Sequence, residues 1–189
     1  EFGRKIHVEA SRMIQLVNDI LQLSHLDSVS ETHAQPDMET VDLLDVAKDC
    51  VERQKLNAQR SFISLTYLGE SARVLGNRDQ LDELCQNLCD NAIRYNRPGG
   101  KVQLITSCTR DGHCTLTVKD NGIGIPKDAQ SSVFERFYRV DKSRSKATGG
   151  TGLGLAIVKH IARIHNARIK LESEVSVGTT ITVVFETAH

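Results

Sequence analysis

The stretch from Gly149 to His160, Gly-Gly-Thr-Gly-Leu-Gly-Leu-Ala-Ile-Val-Lys-His, constrains the fold most. Four glycines (Gly149, Gly150, Gly152, Gly154) run directly into a helical apolar pattern of Leu153, Ile157, Ile161 and Ile164. Glycine admits positive φ and lets backbone N–H groups come close to a ligand. A helix N-terminus adds unpaired donors and a partial positive charge. Such a junction suits an anion, most often a phosphate. Plain packing of a glycine-rich turn is the alternative, and the rest of the chain must decide between them.

The chain has 189 residues, enough for one ordinary domain with an appendage and a real core. Lys plus Arg (24) equals Asp plus Glu (24), so bulk charge gives no argument for nucleic acid or an anionic membrane. The cysteines, Cys50, Cys85, Cys89, Cys108 and Cys114, are odd in number and lack the spacing of a disulfide framework, which fits a reducing compartment. Cys85 and Cys89 lie four apart on a predicted helix, but no nearby Cys or His completes a metal set. They read as small core residues. No apolar run approaches the roughly 18 residues of a membrane helix, and no signal peptide is visible. The start at Glu1, without methionine and close to a helical pattern, reads as an excised fragment.

Ile6 to Leu26 predicts one helix, with Ile6, Ala10, Met13, Val17 and Ile20 spaced alternately four and three and Ile14, Leu16 and Leu21 widening the stripe. It is either docked on its own domain or half of a helical hairpin that dimerises; the bundle pattern favours the hairpin. Ser28 to Pro36 is a polar linker and the domain boundary. Met38 to Val41 predicts a short strand, and Asp42 caps a helix reaching about Leu56. Strand-like runs follow at Phe62 to Tyr67 and Ala72 to Leu75. Arg78 to Tyr95 is a strong helix with Leu81, Leu84, Cys85, Leu88 and Ala92 inward, stopped by Pro98-Gly99-Gly100. Lys101 to Thr109 and Cys114 to Lys119 form a hairpin about Asp111-Gly112, and Arg168 to Glu172 and Thr179 to Phe185 form a second strand pair. Asp141 to Thr148 is polar, basic and aperiodic, as expected of a mobile loop.

Several residues suit chemistry. Asn87 and Asn91 share a helix face, about 40° apart around the axis. They are structural ties or a polar wall for a ligand, and an Asn oxygen suits Mg²⁺. Arg94 follows one turn later and can pair with a phosphate oxygen or a surface carboxylate; Tyr95 can line a flat base or simply pack. Asp120, at a strand end, can accept from an exocyclic amine or make an Asx turn into Asn121-Gly122. Gly122 and Gly124 leave room for a ligand or serve the turn alone. Arg136 and Arg139 flank Phe137-Tyr138, and one of them can reach a phosphate; surface ion pairing is the alternative for either.

In this order the pieces resemble the ATP-binding catalytic domain of a two-component sensor histidine kinase, in a superfamily shared with DNA gyrase, a heat-shock chaperone and a mismatch-repair ATPase. The N box resembles Asn87 to Tyr95, the first glycine box Asp120 to Pro126, the F box Phe134 to Arg139, and the second glycine box Gly150 to Leu155. A last Gly-Thr element matches Gly178-Thr179. The likeness covers Met38 to Phe185. The run Leu16 to Leu26-Asp27 is similar to the second helix of the family's dimerisation and phosphoacceptor hairpin.

The resemblance implies an α+β fold: a two-layer α/β sandwich of Bergerat type, a mixed, mostly antiparallel sheet covered by helices on one face, after an N-terminal bundle helix. Its parts are 1–28 (hairpin helix), 29–37 (linker) and 38–189 (catalytic domain). It implies ATP and Mg²⁺ as cofactors, with Asn91 the main metal ligand and Asn87 beside it. Arg94 and Tyr95 would meet the phosphates and the nucleotide. Asp120 would read the adenine amine, Gly122 and Gly124 would make room for the base, and Thr179 is a further implied cofactor-binding residue. Gly152 and Gly154 would hold phosphates at the helix start, with Gly150, Thr151 and Leu153 also cofactor-binding, and Arg139 would reach the γ-phosphate. Asn87 and Arg139 are the implied catalytic pair, and Asp141 to Thr148 part of an ATP lid.

The implied partners are the phosphoacceptor hairpin, a response regulator and, in the full-length protein, a second copy; the implied location is the cytoplasmic portion of a bacterial membrane sensor. The family often has Lys at Arg94 and His-Gly-Gly where this chain has His165-Asn166-Ala167; Asn166 can still adopt a left-handed cap. None of His7, His25, His33, His113, His160, His165 or His189 has the phosphoacceptor context, an acidic residue next and a proline soon after. The expectation is a fragment that binds ATP and transfers its γ-phosphoryl group to a histidine supplied elsewhere. Two rivals are an ATP-sensing module without transfer and a superfamily ATPase. The latter commonly carries Glu at the place of Asn87 to activate water.

Overall fold

The computed structural model describes residues 37–140 and 150–186, with six positions of the N-terminal segment: Ala10, Met13, Ile14, Val17, Ile20 and Leu21. All six are helical and exposed, Met13 at 67% and Leu21 at 61%. At these positions the apolar stripe is not covered by the other described residues. The other residues of the sequence-predicted helix, the linker 28–36 and the lid 141–148 lie outside the described residues.

The element order is β1 (Glu39–Asp42), α1 (Leu43–Arg60), β2 (Ser64–Gly69), β3 (Arg73–Gly76), α2 (Arg78–Arg94), β4 (Lys101–Cys108), β5 (His113–Asp120), α3 (Gly154–Ile164), β6 (Arg168–Glu174) and β7 (Gly178–Glu186). The main sheet has five strands in the order β2-β4-β5-β7-β6. β2 pairs with β4 in parallel, and the other pairs are antiparallel. The sheet is therefore mixed and mostly antiparallel, as expected. β1 and β3 form a separate two-stranded antiparallel sheet that the sequence does not announce. Asp42 joins these pieces. It ends β1 and caps α1 by accepting from Leu44 N at 2.9 Å, and it also accepts from Ala72 N at 3.0 Å. α1 runs to Arg60, past the expected stop near Leu56.

Period-two alternation makes the sheet one-sided. Val102 and Leu104, Leu116 and Val118, and Ile181, Val183 and Phe185 are buried on the helix side. The opposite face carries paired hydroxyls, such as Thr117 with Thr182 and Ser107 with Thr115, each 3.0 Å apart. Against the apolar side pack α1 (Leu43, Val46, Ala47), α2 (Leu81, Leu84, Leu88) and α3 (Ile157, Val158, Ile161). Among the described residues no helix is long and apolar enough to cross a membrane.

The cysteines divide in two. Cys50, Cys85 and Cys89 are free and fully buried, so Cys85 and Cys89 are core residues as expected. Cys108 and Cys114 depart from expectation: they are opposite each other across the β4–β5 hairpin, Cα–Cα 4.1 Å, and form a disulfide. The pairing follows from hairpin register, which needs no framework of spaced cysteines.

α3 ends as the sequence suggested. Asn166 adopts φ +51°, and Ala167 N donates to Ala162 O at 2.8 Å. His165 is buried with both ring nitrogens engaged. Nδ1 is 2.9 Å from Ile161 O, and Nε2 accepts from Asn77 N at 3.0 Å, tying the end of α3 to the N-cap of α2.

Candidate active site

α2 turns its leucines inward and leaves Asn87 and Asn91 at the border, facing the start of α3. A Cβ on Gly154 would lie 3.0 Å from Asn87 Oδ1 and 3.6 Å from Asn91 Nδ2, so a glycine lets α3 begin against these amides. Asn87 Nδ2 donates to Glu83 O at 3.0 Å, which turns its oxygen toward that gap. Leu153, the cap residue of α3, makes no side-chain capping bond. The first turn of α3 thus keeps donors for an anion.

One turn beyond Asn91, exposed Arg94 and the Tyr95 ring reach the second glycine segment. A Cβ on Gly150 would lie 2.8 Å from Arg94 Nη1, 3.5 Å from Tyr95 Oη and 3.9 Å from Arg139 Nη2. Three side chains from two distant segments therefore converge on one glycine. Arg139 arrives because its loop is docked: Phe137 N donates to Gly152 O at 2.9 Å, and Gly152 takes φ +77° beneath Phe137. Thr151 Oγ1 accepts from Leu153 N at 3.4 Å. Of the two candidate arginines, Arg139 is the one at the glycine segment, and Arg136 is exposed.

The other end of the site is built on strands. Asp120 closes β5 and its Oδ1 accepts from Gly122 N at 2.7 Å. Burial pushes its carboxyl pKa up, against the pull of backbone bonds from Gly122 and Thr179. Thr179 is its cross-strand partner. The loop after Asp120 lies on the end of α2, where Ile123 N donates to Tyr95 O at 3.0 Å. The space a Cβ would need at Gly122 is filled by Tyr95 O at 2.4 Å, and at Gly124 (φ +71°) by Glu174 O at 2.0 Å. These two glycines serve close passage of the backbone.

Sequence reasoning missed the residues that hold this end together. Asn121 Oδ1 accepts from Lys101 N at 2.6 Å, fastening the loop to β4. Gln130 Nε2 donates to Ile125 O and Ser173 O, each at 2.9 Å. Ser173 Oγ meets Ile125 N (2.8 Å), Gly178 O (3.0 Å) and Thr179 Oγ1 (2.8 Å). A signal existed for Ser173. It continues the inward alternation of Ile169 and Leu171, a place where a hydroxyl must find partners.

The arrangement suits an elongated ligand with amine donors at the Asp120 end and anionic groups at the Arg94, Arg139 and α3 end. Among the described residues no group of three or more His, Cys, Asp or Glu could hold a metal ion. A hard cation would have to rely on amide oxygens and the ligand's own phosphates. That donor set fits Mg²⁺, and the oxygen of Asn87 is aimed accordingly.

Comparison with known proteins agrees. A family model described as histidine kinase-, DNA gyrase B-, and HSP90-like ATPase matches residues 76–189, more than half of the chain. Sensor-like histidine kinase SenX3 of Mycolicibacterium smegmatis is 43% identical over 183 residues, covering 96% of this chain and 47% of that protein. The chain thus spans less than half the length of the SenX3 relatives it matches. The solved mycobacterial sensor histidine kinase MprB is 31% identical at a TM-score of 0.68, covering 79% of this chain and 97% of that one. Full-length ShkA in complex with AMPPNP, 24% identical, superposes at a TM-score of 0.80 over 95% of this chain and 37% of its own, which supports the fold. The chain belongs to the histidine kinase-, DNA gyrase B- and HSP90-like ATPase family, as an ATP-binding catalytic domain of the histidine-kinase kind.

Proposed function

We propose that this chain is the catalytic portion of a sensor protein-histidine kinase, which binds Mg²⁺-ATP and donates the γ-phosphoryl group to a histidine outside it. The observation that carries the reading is the convergence of Arg94, Tyr95 and Arg139 on Gly150, beside the Asn87 and Asn91 pair. Asp120 orients the base through its amine. Arg94, Gly150, Thr151, Gly152, Leu153 and Gly154 hold the phosphates at the head of α3, and Arg139 neutralises charge on the γ-phosphoryl group. Asn91 and Asn87 would hold Mg²⁺, which when bound screens the phosphate charges. Transfer in such a site rests on positioning and charge neutralisation. Asn87 has no carboxylate with which to activate water, which favours transfer over hydrolysis.

Residues 1–28 serve as the second helix of the phosphoacceptor hairpin, 29–37 as the linker and 38–189 as the catalytic domain. The exposed stripe of Met13, Ile14, Val17, Ile20 and Leu21 supports a bundle role, with a second copy as partner in the full-length protein. A response regulator then receives the phosphoryl group, on the cytoplasmic side of a membrane sensor.

The test is incubation with γ-labelled ATP and the separately supplied phosphoacceptor hairpin of the full-length kinase. Acid-labile label on the hairpin is the expected result. ATP binding without transfer would make this a sensing module. Phosphate release without an acceptor would make it an ATPase.

A further inference from the structure

The base end holds a row of three side chains across three adjacent strands. Ser173 of β6 is directly opposite Thr179 of β7, and Thr179 is directly opposite Asp120 of β5. Directly opposed residues of antiparallel strands project from the same face. The row therefore runs Ser173, Thr179, Asp120.

The hydrogen positions in this row follow from counting. A hydroxyl has one hydrogen to give and two lone pairs to accept with. Ser173 Oγ has three neighbours, Ile125 N, Gly178 O and Thr179 Oγ1. Ile125 N–H can only donate and Gly178 C=O can only accept. The arrangement that satisfies all of them has Ser173 donating to Gly178 O while accepting from Ile125 N–H and from the Thr179 hydroxyl. The Thr179 hydrogen is then spent on Ser173, and Thr179 Oγ1 offers lone pairs only. Directly opposite Thr179, Asp120 accepts from the Thr179 backbone, and its carboxylate is also an acceptor when ionised.

We propose that Ser173 is a positioning residue that fixes the Thr179 hydroxyl as an acceptor and so makes the row selective for a 6-amino purine over a 6-oxo purine. An exocyclic amine brings hydrogens to these acceptors. The carbonyl oxygen of guanine or hypoxanthine brings lone pairs and meets repulsion from both. Without Ser173 the Thr179 hydroxyl turns and donates to that oxygen, and the penalty falls. The inference rests on the nucleotide-binding reading above and adds the source of its base selectivity.

The experiment is calorimetric binding of ATP, GTP and ITP to the wild-type chain, Ser173→Ala, Ser173→Thr, Thr179→Val and the Ser173→Ala/Thr179→Val double variant. Thermal melts verify folding. Wild type that binds no ATP overturns the nucleotide reading itself. Given ATP binding, Ser173→Ala is expected to lower the ATP:GTP and ATP:ITP affinity ratios about 10-fold, the worth of one correctly paired polar contact. Ser173→Thr keeps the hydroxyl and is expected to keep the ratios. In the Thr179→Val background Ser173→Ala should change them no further. Equal loss of all three nucleotides in Ser173→Ala would reduce Ser173 to a structural support and overturn the proposal. So would the same change in ratio with Thr179 already replaced. Should Ser173→Ala not fold, Thr179→Val still decides, because it leaves the bonds of Ser173 to Ile125 and Gly178 in place. Unchanged ratios in that variant overturn the proposal.

Discussion

The two ends of the site are built on different principles. At the base end, Asp120, Thr179 and Ser173 stand on paired strands, and their polar atoms are engaged with Gly122 N, Ile125 N, Gly178 O and one another. At the phosphate end, Arg94 and Tyr95 are exposed, α3 starts without a side-chain cap, and the groups come from α2, the F-box loop and the glycine segment. One end is prebuilt; the other gathers cationic side chains beside a helix N-terminus. A prebuilt recognition end loses little entropy on binding and supplies specificity. An end that gathers cations beside a helix N-terminus can stabilise an anion.

Breaking the prebuilt end should cost the fold itself. Gly178 has φ +140°, and a Cβ there would lie 2.1 Å from Asp120 O. Gly178→Ala should destabilise the chain by about 3 kcal/mol, read as a lower urea midpoint. Breaking the open end should leave the fold intact. Arg139→Ala should lower phosphoryl transfer about 100-fold while ADP affinity stays within about twofold, measured by label transfer and calorimetry. Equal loss of ADP affinity would mean that Arg139 shapes the site and does not act at the γ-phosphate.

A smaller change sharpens the contrast at Asn87, whose oxygen faces Gly154. Asn87→Glu places a general base there and should raise ATP hydrolysis about 10-fold in a phosphate-release assay. An unchanged rate in a variant that still binds ATP would count against this geometry. The smallest effect concerns the tie between the two helices. Burial holds the His165 imidazole below its usual pKa of 6.5, and Nε2 accepts from Asn77 N–H. Protonation removes that acceptor. The stabilisation is therefore complete above about 6.5 and is lost as pH falls from there toward the lower folded value. Melts at pH 7.5 and 5.5 should show about 1 kcal/mol more loss for wild type than for His165→Gln.

Much of this was legible in the sequence, for local reasons. The stripes of α2 and α3 are strongly periodic, and Asp42 and Asn166 are punctuation whose chemistry is short-range. The residues proposed for the open end were legible because polar groups stand out against an apolar pattern. What stayed hidden depends on pairing between distant segments. The parallel register of β2 on β4 and the separate β1–β3 sheet leave no local mark. Cys108 and Cys114 become partners only once the hairpin register is known. Ser173, Gln130 and Asn121 look like ordinary polar residues until β6, β7 and the loop after Asp120 are brought together.

On the proposed reading, the Asp120 end recognises a base while the opposite end holds Mg²⁺ and phosphates. The decisive experiment is calorimetry of a non-hydrolysable ATP analogue, with and without Mg²⁺, on this chain and on Asp120→Ala. Binding should be strengthened by Mg²⁺ and weakened about 100-fold in Asp120→Ala, the loss expected for a charged, partly buried hydrogen-bond acceptor. No binding by the parent chain, or full affinity in Asp120→Ala, would contradict it.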